Sequence, residues 1–418
     1  MSRTQDSVIE VVPSARRLTD SLRDIGYDPV TAVADLIDNS ISAGSSIITV
    51  ELVSDGEDSC IRISDNGSGM DRCTAVEALR FGTRRGYSDE DLGRFGLGLK
   101  TASLSMGRRL TVVSRRAPIN DRRVSVRLDL DEVEELDQWV VRVLAPRTLR
   151  ASFAPALIER PGTTIVIDRL DRIMEGVSYD SGWAVRRLRR LANDLHEHLG
   201  MVFHRFIERG LRIVVNGEPV IAWDPFCRDE PHTVELPSVQ MRVRDESGRT
   251  QPVRWRPFVL PSRNAFSSPE AFERAAGPRR WNRQQGIYVY RADRLVQTGG
   301  WNGIRGIDEH TKLGRAALEF DTGLDSAFGI NVAKMKVAIP SDIRSTLKQE
   351  ITDLVKAANN AYRTAAMRDR PSGRGSDMTE VGEVLRLAAH ATGDTEELEL
   401  LMKRLAEVAP EATAALGF

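Results

Sequence analysis

The segment that decides the fold reads "ADLIDNS" and spans residues 34–40. The pair "DP" at 28–29 supplies a helix cap and a proline at the first helical position, and "AG" at 43–44 ends the same helix. Apolar residues at helical spacing give this helix a core face. It also carries Asp35 and Asn39, which lie four residues apart and therefore on one side. The pattern predicts a helix that packs on a core and presents polar groups to a ligand.

Asp35 and Asn39 suit two tasks at a bound nucleotide. An amide oxygen such as that of Asn39 can ligate Mg²⁺, a hard cation that prefers oxygen and keeps several waters. A carboxylate one turn earlier can orient and deprotonate a water that attacks the γ-phosphate. On this helix alone the plainer interpretation stays open, in which both are solvated polar residues of an amphipathic helix.

Two alternating strands follow, "IITVEL" at 47–52 and "CIRISD" at 60–65, and the second runs into "DNGSGM". Asp65 stands at the strand end, and Gly67 and Gly69 give the chain a sharp turn with exposed backbone. The Asp65 carboxylate can accept a hydrogen bond from an exocyclic amine such as that of adenine, while the glycines let a flat ring approach. An ordinary Asx-Gly turn is the alternative.

A glycine-rich stretch, "GRFGLGLK" at 93–100, runs into the start of a helix. Such loops aim backbone N–H groups and the helix N-terminus at phosphate. The spacing is neither that of a P-loop nor that of a dinucleotide fingerprint. The polar, glycine-punctuated residues before it predict a lid over 81–98. In "PGTTIVI" at 161–167, Thr163 can hydrogen-bond a base or a bridging water, or be merely a β-branched strand residue.

In this order, the four segments resemble the motifs of the GHKL ATPase superfamily, which includes DNA gyrase B, MutL, histidine kinases, a heat-shock chaperone and MORC proteins. "DLIDNSISAG" resembles the first motif, "DNGSGM" the second, "GRFGLGLK" the third and "GTT" the fourth. "GLKTASLSMG" is similar to the MORC-type branch. "GIYVYRADRLVQTGGW" at 286–301 is similar to the transducer-type second domain of MORC, MutL and gyrase-like members. The resemblance leaves 341–418 unexplained.

The resemblance implies the residues of an ATP site. Asp35 takes the place of the water-activating acid, Asn39 is the Mg²⁺ ligand and Asp65 receives the adenine. In relatives a lysine of the second domain reaches the γ-phosphate. Lys334 in "NVAKMKV" matches it, and Lys336 on the same strand face is the fallback. The other nucleotide-binding positions that the motifs imply are Ala43, Gly67, Gly69, Met70, Gly93, Phe95, Gly96, Leu97, Gly98, Leu99, Lys100 and Thr163.

Two positions depart from the family pattern. The water-activating residue is usually Glu, and Asp35 is one methylene shorter. Small misplacements of a catalytic group cost large rate factors, so we expect slow turnover or binding without hydrolysis. Ser42 stands where relatives usually have Asp, which we expect to alter helix-end contacts rather than chemistry.

The composition indicates an ordinary soluble protein. The chain has 418 residues, 41% hydrophobic and 28% charged, and a net charge of -1 gives no global attraction to nucleic acid or anionic lipid. Three cysteines without metal-binding spacing favour a reducing compartment. The N-terminus has no signal-like apolar region and no apolar run is long enough to cross a bilayer, so we predict a cytoplasmic protein without membrane contact.

We predict an α+β fold class with three parts. Residues 1–208 form a Bergerat-type α/β sandwich, with one layer of helices on a mostly antiparallel sheet, that binds ATP. Residues 209–340 form a transducer-like domain of the ribosomal-protein β-α-β type. Residues 341–418 form a helical C-terminal extension with a linker at 370–377.

The predicted function is Mg²⁺-dependent ATP binding with slow hydrolysis, coupled to lid closure. Closure is expected to produce an ATP-dependent homodimer that acts on DNA or a protein client. The alternative is a nucleotide-gated scaffold with negligible hydrolysis, in chromosome organisation or phage defence. A chaperone is a third interpretation, which the lid-to-strand sequence favours less. "RRLRR" at 186–190 is either a solvated helix face or a patch for nucleic acid or another partner.

Overall fold

The computed structural model describes residues 13–24, 27–81, 98–117, 123–145, 160–330, 337–368 and 378–416. The chain divides into two compact units, Met1–Asn359 and Asn360–Phe418. Helices and strands both contribute, and the architecture is α+β. The predicted linker at 370–377 lies outside the described residues.

The first part of the chain builds an eight-stranded sheet with helices packed against it. Its elements are α1 (Ala15–Arg23), α2 (Pro29–Ser42), β1 (Ile47–Val53), β2 (Cys60–Asp65), α3 (Arg72–Ala78), α4 (Gly98–Leu104), β3 (Arg109–Arg115), β4 (Val124–Asp129), α5 (Leu130–Leu136), β5 (Arg142–Val143), β6 (Gly162–Asp168), α6 (Gly182–Val202), α7 (His204–Glu208), β7 (Arg212–Val215) and β8 (Glu218–Pro219). The strand order is β5-β4-β3-β6-β2-β1-β7-β8. Every pairing is antiparallel except that of β1 with β7, so the sheet is mostly antiparallel, as predicted.

Helix α2 begins where its sequence predicts. The Asp28 side chain accepts the N–H of Thr31, and Pro29 occupies the first turn. Residues 32–38 are all buried, because α2 packs between the sheet, α4 and α6. The helix is therefore less amphipathic than its spacing predicts, and Asp35 lies inside the buried run.

The hairpin after the predicted domain boundary near 209 belongs to the first sheet. Asn216 and Gly217 both have positive φ, which is the geometry of a type I′ turn between β7 and β8. Strand β7 then pairs in parallel with β1, from Ile47 opposite Arg212 to Val50 opposite Val215. The strands change from the first sheet to the second after residue 219.

The second part of the chain builds a six-stranded sheet and the remaining helices. Its elements are β9 (Val234–Glu235), β10 (Val239–Arg244), β11 (Thr250–Val259), α8 (Pro269–Ala276), α9 (Arg280–Gln284), β12 (Gly286–Arg291), β13 (Arg294–Gln297), β14 (Gly314–Phe320), α10 (Ser341–Arg368), α11 (Met378–Thr392), α12 (Thr395–Val408) and α13 (Pro410–Ala415). The strand order is β10-β11-β14-β12-β13, with β9 on β11 and β12 parallel to β14.

Two predicted elements differ from their sequence pattern. "WVVRVLA" (139–145) has the alternation of a strand, but only Arg142–Val143 pairs as one; the Trp139 indole donates to the Leu79 carbonyl at 2.9 Å. The apolar spacing of residues 183–208 predicts one continuous helix, but the helix is interrupted at the buried Phe203, whose backbone leaves the helical region. This interruption separates α6 from α7.

Helix α10 starts as part of the first unit. Its apolar residues recur at helical spacing, and a Cβ at Gly314 of β14 would come within 3.2 Å of the Ala358 side chain. The extension predicted from 341 therefore begins packed on the second sheet. None of the described helices combines the length and the hydropathy that a membrane-spanning segment requires.

Candidate functional site

Asp65, at the end of β2, is the point where three sequence motifs meet. Its Oδ2 accepts the Ser40 hydroxyl at 3.0 Å, which ties the strand end to α2. Its Oδ1 accepts the N–H of Gly67 at 2.9 Å and that of Thr163 at 3.2 Å. Burial raises the pKa of Asp65, and these hydrogen bonds oppose that shift. The carboxylate is thus fixed in orientation, and since each carboxylate oxygen accepts two donors, Oδ2 can take one from a ligand.

The glycines of the "DNGSGM" turn allow close backbone approach. A Cβ on Gly67 would lie 2.8 Å from the Ala43 carbonyl, which accepts the N–H of Ser68 at 2.9 Å. Gly69 has φ +65°, and a Cβ there would lie 1.9 Å from the Arg115 carbonyl. The turn is therefore pressed between the end of α2 and the end of β3.

Hydroxyl groups connect the turn to the strand that carries the fourth motif. Thr163, at the start of β6, is buried with its Oγ1 2.9 Å from the Ser114 hydroxyl of β3. Ser114 Oγ also accepts the N–H of Met70 at 2.7 Å and donates to the Gly162 carbonyl at 3.0 Å. Ser114 thus holds the second and fourth motifs in register.

Asp35 lies in the buried stretch of α2 with both carboxylate oxygens contacted. The Tyr27 hydroxyl donates to Oδ2 at 2.8 Å, and Arg294 Nη2 lies 3.4 Å from Oδ1. Burial, reinforced by the Asp35 charge, raises the pKa of Tyr27, so this phenol remains a donor. Arg294 belongs to β13 and also places its Nε 2.8 Å from the Asp38 carboxylate. The six-stranded sheet thus supplies a cation to the helix that carries the first motif.

Lys100 is buried close to the same helix. It is 1% exposed, and its Nζ donates to the Ala78 carbonyl at 3.0 Å. Burial lowers the pKa of Lys100 to about 8. It follows Gly98 in α4, which packs along α2, and the next residue, Thr101, hydrogen-bonds Tyr27. Residues 98–100, the part of the third motif that the structure describes, therefore lie next to α2, which carries the first motif.

A family model described as "Histidine kinase-, DNA gyrase B-, and HSP90-like ATPase" matches residues 27–159. The matched segment includes α2, the Asp65 turn and α4, around which the site is built. Residues 27–159 belong to the GHKL ATPase superfamily.

The GHKL domain is similar to proteins of the MORC and MutL groups. It is 31% identical over 88 residues to the Caenorhabditis elegans protein "ATPase morc-1", covering 21% of this chain and 10% of that protein. It is 32% identical over 114 residues to "DNA mismatch repair protein MutL" of Dictyoglomus turgidum, covering 27% and 20%. It is 32% identical over 91 residues to "Protein MICRORCHIDIA 6" of Arabidopsis thaliana, covering 21% and 14%. The chain thus spans at most a fifth of these relatives' own lengths.

Among the described residues of the GHKL domain, Asn39 is a candidate ligand for Mg²⁺. Asn39 is exposed, and its side chain makes no hydrogen bond with a described residue. It lies one helical turn after Asp35. Because Mg²⁺ usually keeps several waters and takes its other ligands from phosphates, a single exposed amide oxygen fits this cation.

Part of the predicted site lies outside the described residues. Gly93, Phe95, Gly96 and Leu97 fall in the undescribed segment 82–97, which includes most of the predicted lid. Lys334 and its fallback Lys336 fall in 331–336. The other predicted positions lie on the elements around α2 and the Asp65 turn, with Leu99 partly buried against the core.

Four contacting residues of the GHKL site were missed in the sequence: Tyr27, Ser40, Ser114 and Arg294. Ser40 follows the predicted Asn39 directly, and a hydroxyl on the inner side of α2 was a usable signal. Tyr27 precedes the helix cap and gave no pattern of its own. Arg294 is separated from Asp35 by 259 positions, so no local pattern could connect them.

Proposed function

We propose that this chain binds ATP with Mg²⁺ and hydrolyses it slowly, with the nucleotide between α2 and the eight-stranded sheet. The convergence of α2, β2 and β6 on the Asp65 carboxylate carries this proposal. A carboxylate whose orientation is fixed by three protein donors can select a ligand amine by position, as an adenine site requires. Gly67 and Gly69 let the turn that follows Asp65 pack closely against the ends of α2 and β3.

The family resemblance suggests the roles of individual residues in hydrolysis. Asp35 would orient the attacking water and take its proton, while Lys334 would stabilise charge on the γ-phosphate. Mg²⁺, held by Asn39, would neutralise charge on the phosphates when bound. We expect the step to be slow, because the Asp35 side chain is one methylene shorter than the usual Glu and small misplacements of a catalytic group cost large rate factors.

Calorimetry and phosphate release together test this function. Wild type is titrated with a non-hydrolysable ATP analogue and Mg²⁺, beside Asp65→Asn and Asn39→Ala, with Asp20→Asn as the matched control because Asp20 is exposed on α1. We expect Asp65→Asn to weaken binding about tenfold or more, Asn39→Ala to remove its Mg²⁺ dependence and Asp20→Asn to bind as wild type does. Wild type that gives no heat at millimolar nucleotide would refute the proposal.

A nucleotide-gated scaffold with negligible hydrolysis is the second candidate, and the contacts of Asp35 favour it. A carboxylate held by a phenol and a guanidinium is less available to a water. Phosphate release from wild type, Asp35→Glu and Asp35→Asn separates the two functions. An ATPase is expected to lose release in Asp35→Asn, whereas a scaffold would bind nucleotide with the same background release in all three proteins.

Lid closure over 81–98 and an ATP-dependent homodimer are the proposed consequences of binding. Light scattering after size exclusion, with and without the ATP analogue, measures the mass directly. We expect the mass to double with the analogue in wild type and to stay unchanged in Asp65→Asn. A monomer at saturating analogue would rule out dimerisation and leave nucleotide binding standing.

A specific surface favours DNA as the client over a protein. Exposed arginines occupy the first half of α6, and none forms an ion pair with a described acidic residue; they are Arg186, Arg187, Arg189 and Arg190. Like charges three or four residues apart on one helix repel each other, as Arg186 and Arg190 do, and an anionic partner would relieve that repulsion. Trp183 beside it is 68% exposed, with the Arg186 guanidinium 4.2 Å from its ring centroid.

Fluorescence polarisation with labelled duplex DNA at about 50 and 200 mM salt tests the client. We expect Arg186→Gln with Arg190→Gln to weaken binding and to flatten its salt dependence. Arg242→Gln with Arg244→Gln, two exposed arginines of β10, is the matched control. Equal loss in both pairs would mean that the α6 surface has no special role.

A further inference from the structure

We propose that Arg294 is a positioning residue through which the six-stranded sheet controls Asp35. The inference rests on the proposed ATPase function and concerns its regulation. Asp35, Asp38 and Arg294 form one cluster in which each residue is at most 4% exposed. Two of its members belong to α2 and the third to β13, so the cluster joins the two sheets.

The two carboxylate contacts of Arg294 differ in length, so its Nε and Nη2 atoms have different roles. Its Nε lies 2.8 Å from the Asp38 carboxylate, a normal charge-assisted hydrogen bond. Its Nη2 lies 3.4 Å from Asp35, near the limit of such a contact. Asp38 therefore anchors the guanidinium, which reaches Asp35 from that anchor. A small shift of β13 along α2 would change the Asp35 contact first.

Arg294 contributes a cation to this cluster, next to an aromatic ring and a histidine of the first domain. Its guanidinium carbon lies 5.7 Å from the centroid of the Phe203 ring. His198 of α6 is nearby, and burial, with a further contribution from the Arg294 charge, lowers the pKa of His198 to about 4. His198 is thus neutral at physiological pH. Tyr27, just before α2, and Arg294 of β13 both contact the Asp35 carboxylate and so contribute to its orientation.

The second sheet is held to the first domain by a separate set of contacts. The imidazole of His204 lies 2.9 Å from the Tyr290 hydroxyl. Arg205 and Arg209 both contact the Asp293 carboxylate, at 2.9 and 2.7 Å. These contacts lie at α7, so loss of the Arg294 side chain is not expected to separate the sheets. They also provide a control, because Arg209→Met removes an ion pair across the same interface without touching Asp35.

The test compares wild type, Arg294→Met, Arg294→Lys and Arg209→Met. Calorimetry with the ATP analogue gives affinity, single-turnover hydrolysis gives the chemical rate, and amide hydrogen exchange over 286–297 reports the second sheet. We expect Arg294→Met to keep the affinity within about twofold and to lose about tenfold or more in hydrolysis. We expect Arg294→Lys to recover part of the rate and Arg209→Met to match wild type. A purely structural role would lower affinity and rate together in both Arg294→Met and Arg209→Met.

The exchange measurement keeps the inference testable even where hydrolysis is undetectable. In wild type the ATP analogue is expected to change exchange over 286–297, and in Arg294→Met it is not. The inference is overturned if folded Arg294→Met hydrolyses ATP at the wild-type rate, or if the analogue changes its exchange over 286–297 as it does in wild type. Either result would leave ATP binding intact. If Arg294→Met does not fold, Asp38→Asn, which loosens the anchor, takes its place with the same expected outcomes. Absence of ATP binding by wild type would instead refute the proposed function and this inference with it.

Discussion

The buried Lys100 side chain makes a quantitative prediction about stability. Burial lowers the pKa of Lys100 from an ordinary 10.5 to about 8. At about 1.4 kcal/mol for each pKa unit, this difference corresponds to about 3 kcal/mol. Below about pH 8 both the folded and the unfolded chain carry the charge, and the folded protein bears the full cost of burying it. Between about pH 8 and 10.5 the unfolded chain binds more protons, so stability rises with pH over that range.

Lys100→Met removes the charge with little change in volume. It also leaves the Ala78 carbonyl without this donor, at a cost of about 1 kcal/mol. We therefore expect the variant to be about 2 kcal/mol more stable than wild type at pH 7. That advantage should fade as pH rises, because wild-type Lys100 then becomes neutral. A stability gain combined with weaker binding of the ATP analogue would indicate that the lysine serves the site rather than the fold.

Urea denaturation followed by circular dichroism, at about pH 7, 8, 9 and 10, measures the difference. Lys348→Met is the matched control, because Lys348 is exposed on α10. The other titratable groups are the same in wild type and in each variant, so they cancel in the difference in stability. The reasoning fails if Lys100→Met is less stable than wild type at pH 7. It also fails if the difference between the two proteins is the same at every pH.

Three further predictions concern the turn, the nucleotide and the second sheet. Gly69→Ala places a Cβ against the Arg115 carbonyl at a residue with positive φ, so we expect the free energy of unfolding in urea to fall by about 2 kcal/mol or more. An unchanged midpoint would mean that the turn can relax. Asp65→Asn is expected to weaken the ATP analogue about tenfold or more in calorimetry, whereas unchanged affinity would remove adenine from this carboxylate. Arg291→Met removes the bidentate partner of the buried Asp325 carboxylate, so we expect the free energy of unfolding, measured by thermal unfolding, to fall by about 3–5 kcal/mol. The double variant that adds Asp325→Leu should recover part of this loss.

The sequence predicted those parts of the fold and site that local signals encode. The Asp28 cap and Pro29 placed the start of α2, and alternation placed β2 up to Asp65. A strand end followed by glycines also gave the correct position for the Asp65 turn. These features follow from the periodicity and backbone preferences of neighbouring residues.

The remaining features depend on contacts between distant segments. The parallel pairing of β1 with β7 joins residues that lie more than a hundred positions apart, and neither strand's pattern identifies its partner. The ion pair between Arg294 and α2 is equally remote. An arginine in a short strand reads as solvent-facing until the other sheet is placed beside it. Tertiary packing, rather than local propensity, decided these contacts.

The partnership of β1 and β7 has a consequence for synthesis of the chain. Until residues 212–215 have left the ribosome, β1 pairs only with β2 and offers a free row of backbone donors and acceptors on its other side. Such an open border invites pairing with neighbouring nascent chains. A gene fragment cut after residue 208 would keep that border permanently open, whereas one cut beyond residue 219 would close it with the chain's own hairpin.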